Sequence, residues 1–314
     1  MNLRLRFLVG LLILLAGLPG RAVTYVSSST TFAWIDASTH TKVGYNTAPY
    51  KFNGGGGCGT NPPVLDDTIS DLIPLETRGG YPTFTFMFGG VNFTSVRIMA
   101  NGRLQFGNST CGYGTASIGP PQTYPYAYPD ASLTYTMKMF GVDLDPTRLS
   151  DSPTYPTNCA NGTTCYVSFA TVGEAPNRSF VVTWNNVPEW INYTRTAGNF
   201  NIQAILQENG EFVFQYGSNV HGGTGTGEVG WEIDTGDYDV LRFPGGSEPD
   251  PNTAVKFSYP EPIAEHRMEQ PDWSAYPVRD TSGHGRHGTA VGIGGATPPT
   301  TTAAGKVCRG GSIV

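Results

Sequence analysis

Between Tyr81 and Gly107 apolar residues recur at every second position: Phe84, Phe86 and Phe88, then Val96, Ile98 and Ala100, then Leu104 and Phe106. A period of two is that of a strand with one buried face. Asn101-Gly102 separates the last two runs, and the length of that turn fixes the register. A two-residue loop pairs Ala100 with Arg103 and puts Ile98 and Leu104 on opposite faces. A three-residue loop, Ala100-Asn101-Gly102, pairs Ile98 with Leu104 and Val96 with Phe106. One face is then wholly apolar, which predicts a type I turn with Gly102 left-handed in a G1 bulge. The same grammar returns in Phe200, Ile202, Ala204 and Leu206, then Asn209-Gly210, then Phe212, Phe214 and Tyr216. The loop Glu208-Asn209-Gly210 sets Leu206 opposite Phe212 and Ala204 opposite Phe214. Two such hairpins predict an all-β fold, an antiparallel β-sandwich with long Gly/Pro-rich loops.

Other segments fit that frame. Phe32, Trp34 and Ile35, with Val43 and Tyr45, predict an opening strand pair around a polar turn at Ser38–Lys42. Further strands are expected at Met137–Asp145, Tyr166–Ala170, Phe180–Trp184, Val229–Ile233 and Ala254–Tyr259. NGGGGCGTNPP (53–63) is a loop, because four consecutive glycines hold no regular structure. It lacks the Gly-Lys-Ser/Thr ending of a phosphate-binding loop. The acidic run Asp66–Asp71 reads as a solvated turn. Beyond Pro260-Glu261-Pro262, a plausible linker, apolar residues become scarce, so the tail is expected to be poorly structured.

Composition narrows the class. The chain has 314 residues, only 14% of them charged, with 41 Gly, 24 Pro and 12% aromatics. Such a mixture suits a turn-rich extracellular β protein. A formal charge of −6 without any basic run argues against a general nucleic-acid binder. Residues 1–22 read as a cleaved signal peptide: Arg4 and Arg6, the apolar run Phe7–Leu18, then Gly20-Arg21-Ala22. The run is shorter than the roughly 20 residues of a spanning helix. Export places the five cysteines in an oxidising compartment. Cys159 and Cys165 flank ANGTT, a turn that brings them within bridging range. Cys58 and Cys111 pair by elimination, and Cys308 is left over. Asn-x-Ser/Thr sequons at Asn92, Asn108, Asn161, Asn177 and Asn192 matter only in a host that glycosylates.

Candidate chemistry is sparse. HExxH, GxSxG and CxxC are absent, and no enzyme is expected. His284 and His287 read as a solvated turn. Tyr124, Tyr126 and Tyr128 alternate between prolines on an extended path and, with Trp190, would stack on sugar rings or on a partner's proline segment. The alternative is a loop lid whose tyrosines cover the core. Asp143 and Asp145 form a DxD that would suit Ca²⁺ alongside Asp151; the plainer reading is a strand end with solvated carboxylates. Glu208 with Glu211, and Glu228 with Glu232, are the carboxyl pairs a glycosidase reading would have to use.

FTFMFGGVNFTSVRIMANGRLQFG, GNFNIQAILQENGEFVFQYG and VGWE together resemble the nidogen-like extracellular β domain of secreted bacterial proteins. With FAWIDASTHTKVGYNTAPYKF at the start and AEHRMEQPDWSAYPVRDTSGHGRHGTA…GKVCRGG in the tail, the chain is similar to MshQ-like proteins. That family is associated with biogenesis of the mannose-sensitive haemagglutinin type IV pilus. The resemblance implies a signal peptide at 1–22, a nidogen-like domain over 23–260, and a linker with the truncated start of a laminin-G-like jelly roll over 261–314. It implies a secreted or surface-exposed, non-enzymatic role in pilus biogenesis or adhesion, with pilus or envelope proteins, or surface glycans, as partners. It carries over no catalytic residue.

Overall fold

The computed structural model describes residues 24–45, 50–53, 68–110, 128–141, 144, 146, 165–189, 197–218, 228–241 and 249–260, and the backbone of 300–302 and 310–312. All regular structure among them is strand. The first half contributes β1 (Val26–Thr30), β2 (Thr41–Lys42), β3 (Gly44–Tyr45), β4 (Lys51–Asn53) and β5 (Ile69–Ser70). Next come β6 (Ile73–Pro74), β7 (Phe86–Phe88), β8 (Val91–Phe93), β9 (Ser95–Met99) and β10 (Arg103–Gln105). The second half contributes β11 (Thr136–Gly141), β12 (Tyr166–Val172), β13 (Ser179–Glu189) and β14 (Ala197–Gln207). It continues with β15 (Phe212–Tyr216), β16 (Glu228–Asp234), β17 (Asp237–Leu241) and β18 (Thr253–Ser258).

Two sheets form the sandwich. The first has seven strands in the order β1-β18-β15-β14-β13-β12-β2; the second runs β17-β16-β11-β10-β9-β5-β4-β3, with β6 also on β9. All pairings in them are antiparallel except β3 with β4. Contacts divide the chain after Ser258. Within the second unit, Tyr259–Val314, β19 (Thr300–Thr302) pairs with β20 (Gly310–Ser312).

Both hairpin registers follow the alternation. Leu104 faces Ile98 across Ala100-Asn101-Gly102, and Gly102 is left-handed at φ +69°. Leu206 faces Phe212 and Ala204 faces Phe214, with Gly210 at φ +88°. A one-residue slip in either would turn its apolar set outward. The Phe84–Phe88 run ends in a hairpin of its own, β7 with β8, through left-handed Gly89 and Gly90. Phe84, Phe86 and Phe88 are all fully buried.

The opening strand differs from expectation. It lies earlier, at Val26–Thr30, and pairs with β18. Residues 31–37 form no ladder, because glutamine side chains of the first sheet occupy the main-chain groups of Ala33 and Ile35. Ala33 N–H donates to Gln215 (2.6 Å) and Ile35 N–H to Gln203 (3.1 Å), and both glutamines return a bond to the matching carbonyl.

Aromatic rings fill the space between the sheets. Phe88 meets Phe212 edge-on at 6.1 Å, and Tyr25 touches both Phe212 (5.0 Å) and Trp231 (5.3 Å). Polar tips on the first-sheet side cross this layer to carbonyls of the second sheet and of the β7–β8 hairpin. Trp184 Nε1 donates to Ala100 O (3.0 Å), Tyr216 OH to Met139 O (2.6 Å), and Tyr25 OH to Met87 O (3.1 Å). Ala100 sits in the hairpin loop and Met139 at a register shift between Lys138 and Gly141. The sheet's own ladder leaves those carbonyls available, and a buried carbonyl without a partner is costly.

Tyr216→Phe should therefore lower unfolding free energy by about 1–2 kcal/mol, since it strands a buried carbonyl and leaves the ring volume intact. Urea denaturation should show a lower midpoint at unchanged slope; an unchanged midpoint would refute the role given to this bond.

Candidate functional site

The second sheet carries an unusual outer face. On β10 and β11, Arg103, Gln105, Thr136 and Lys138 alternate with the core residues Leu104, Met137 and Met139. Across β16, Glu232 stands opposite Thr136 and Glu228 opposite Gly141. Such alternation ordinarily means a solvated face. Here Arg103, Gln105, Thr136, Lys138 and Glu232 are all buried.

Residues 128–134 form part of the cover. Tyr128 N–H donates to Glu228 Oε1 (3.0 Å), and Asp130 N–H to both oxygens of Glu232 (3.1 and 3.0 Å). Tyr128 OH pairs with Thr136 Oγ1 at 2.6 Å. Lys138 Nζ makes a 2.6 Å ion pair with Glu228 and lies 4.0 Å from the centre of the Tyr128 ring. Asn108 donates to Thr134 O and accepts from Gln105, and Arg103 reaches Thr110 O at 3.0 Å. Each strand residue thus holds a piece of the covering loop.

Burial shifts the ionisable groups. Glu232 is pushed up to about 7, mainly by loss of water and against the opposing Asp130 N–H. Lys138 is pushed down to about 8 by burial, with Glu228 resisting the change. The Tyr128 phenol is raised well above its ordinary value, burial again being the main cause.

A second ionic cluster joins the connection before β7 to the end of the β13–β14 pair in the first sheet. Buried Arg178 forks onto Glu208, contacts Glu76 Oε2 at 3.1 Å and donates to the carbonyls of Pro82 and Thr83. Arg78 also holds Glu76, at 2.8 Å. The hydrogen bonds from Arg78, with Arg178 adding to them, draw Glu76 down to about 2.

Tyr128 is 4% exposed, so it covers the sheet instead of standing in an open stacking row; its hydroxyl and ring are engaged by Thr136 and Lys138. Tyr124, Tyr126, Trp190, Asp143 and Asp145 lie outside the described residues, as do Cys58, Cys111, Cys159, Cys308, His284, His287 and the signal segment. Cys165 is buried just before β12. Among the described residues no group of three His, Cys, Asp or Glu could hold a metal. Glu208 is committed to Arg178, and Glu211 pairs with Lys256 at 2.7 Å. Glu228 and Glu232 accept hydrogen bonds from Tyr128 N–H and Asp130 N–H, so both carboxylates are engaged with the covering loop.

The covered polar face went unread in the sequence. Its only signal was polar alternation, which is identical for a wet face and a covered one.

Arg103 to Glu232 fall inside a longer match. A family model described as NIDO related covers residues 60–257, well over half of the chain. The chain belongs to the NIDO-related family. Domains of this kind are typically extracellular and adhesion-type. Among the described residues no helix is long and apolar enough to cross a membrane. No curated protein and no solved structure matches the chain. In this NIDO-related domain the charged side chains of the two clusters hold loops to sheets.

Glu232 gives a signed pH prediction. Its folded pKa is raised, so its contribution is full below about 4.5 and is lost as pH rises through about 7. Depressed carboxylates such as Glu76 act below that window, and His40, lowered mainly by burial, works in the opposite direction within it. A difference between two proteins that share those groups isolates Glu232. Glu232→Gln, which keeps an acceptor for Asp130 N–H, should gain on the parent by on the order of 1–2 kcal/mol between pH 5 and pH 8. Urea titrations at the two pH values measure it, and a constant gap between the proteins would contradict it.

Proposed function

We propose that this chain is a secreted, surface-exposed and non-enzymatic protein that acts in cell adhesion, through biogenesis of a type IV pilus of the mannose-sensitive haemagglutinin kind. The observation that carries the reading is the NIDO-related match over residues 60–257. The geometry supports it: the carboxylates and cations of the two ionic clusters are spent on holding loops, so the domain reads as a rigid display scaffold. Its partners are pilus or cell-envelope proteins, met through the surface of the sandwich. Residues 1–22 are the export signal, and residues 261–314 are a linker and a laminin-G-like segment.

Deleting the gene in the parent cell should reduce surface pili or surface attachment, and the full chain supplied in trans should restore them. Normal piliation together with normal attachment would sink the proposal.

Export also predicts oxidised cysteines. Non-reducing peptide mapping of the secreted protein should find Cys159 joined to Cys165 and Cys58 to Cys111. Four free thiols at these positions would remove the oxidising-compartment argument.

A further inference from the structure

Most aromatic rings in the described sandwich are buried; Phe32 and Trp34 are half-exposed. They lie on segment 31–37, on the outer face of the seven-stranded sheet. Gln203 and Gln215, both buried, clamp the segment through the amide and carbonyl of Ile35 and Ala33. The clamps are joined to each other at 3.3 Å, and Gln203 also donates to Thr183 Oγ1 at 2.9 Å. Ile35 packs onto the apolar patch of Val181, Ile205, Val213 and Ala254. Val172 packs on the same patch, whose partly buried hydrophobic cover among the described residues is Ile35 and Val172.

Alternate residues of an extended segment point their main-chain groups in opposite directions. Ala33 and Ile35 face the glutamines, so Phe32 and Trp34 face away. Neither the main-chain groups of these two residues nor the Trp34 indole N–H is hydrogen-bonded among the described residues. The rings are 6.1 Å apart at centroids and inclined by 30°. One side of the Trp34 ring is backed by Gly217, where an added Cβ would come within 3.7 Å of Cζ3. Beside it the Asn201 amide is fixed by Asn186 N–H (2.9 Å) and Ser218 O (2.8 Å). Asn186 holds a φ of +54° at the irregularity of β13, a position where bulges commonly re-aim side chains. Asp36 continues the segment, oriented by Ser38 N–H at 2.9 Å and Ser38 Oγ at 3.0 Å.

We propose that Phe32 and Trp34, flanked by Asp36 and Asn201, form a binding site for a neutral linear oligosaccharide. A pyranose ring has an apolar C–H face, which stacks on an aromatic ring, and a rim of hydroxyls, which needs donors and acceptors nearby. The aromatic pair supplies the first. The open main-chain groups, the indole N–H and the remaining lone pairs of Asp36 supply the second. The Asp36 charge disfavours acidic sugars. Clamping by buried side chains fixes the platform before the ligand arrives and lowers the ordering cost of binding. The site deepens the adhesion reading by giving it a ligand class, and it uses residues other than Tyr124, Tyr126 and Trp190.

The test is an array of neutral cello-, chito-, xylo- and manno-oligosaccharides probed with the full secreted chain, followed by titration of the best binder. Saturable binding is expected. It should weaken at least tenfold in Trp34→Ala and several-fold in Asp36→Asn, with the melting temperature of the second variant unchanged, and persist in Tyr126→Ala. A blank across the array overturns the site and leaves the adhesion proposal to its own genetic test. Binding that survives both Trp34→Ala and Asp36→Asn overturns it as well.

Discussion

The sandwich depends on how its dry interior meets the hydrogen-bonding needs of the backbone. Packing two sheets face to face removes water from every carbonyl that the ladders do not use. In this protein such carbonyls occur at the hairpin loop, at the irregularity of β11 and on the short β7. Trp184, Tyr216 and Tyr25 each bring one donor across the aromatic layer to one of them. The choice of Trp and Tyr over Phe at these places follows from that demand. Large apolar bodies fill the layer, and their polar tips satisfy what the layer would otherwise strand.

Outside the layer, charge does the work of attachment. Arg178 and Glu76 hold the connection before β7 to the hairpin end of the first sheet, and Lys138, Glu228 and Glu232 hold the Tyr128 loop to the second. The two clusters have opposite electrostatic characters. Around Arg178 opposite charges and carbonyls converge on one guanidinium, so Glu76 is strongly acidic. Around Glu232 burial dominates, so its carboxyl titrates near neutrality. The first cluster withstands any ordinary pH, whereas the second answers to it.

What the sequence made legible was whatever depended on alternation. The registers of Ile98 with Leu104 and of Leu206 with Phe212 follow from keeping apolar residues on one face, and the strands Tyr166–Ala170 and Phe180–Trp184 pair as expected. What stayed hidden was anything settled by coverage from a distant segment. Phe32, Trp34 and Ile35 look like a strand, yet the groups that would have made a ladder are taken by glutamines some 170 to 180 positions away. Lys138 and Glu232 look solvated because periodicity records which face a residue takes and says nothing of what lies over it. Tyr128 was legible as part of an alternating tyrosine run, but its burial depends on Thr136 and Lys138 beneath it.

The glutamine clamp has a consequence for how this surface can diversify. Gln203 and Gln215 grip only the amide and carbonyl of Ile35 and Ala33, atoms that nearly every amino acid possesses. The identity of residues 32, 34 and 36 is therefore decoupled from the grip that holds them. Drift or selection can rewrite those three side chains while the scaffold beneath stays constant, much as a socket accepts different tools on one fitting. A lineage carrying both glutamines would inherit a replaceable display strip on an otherwise fixed sandwich.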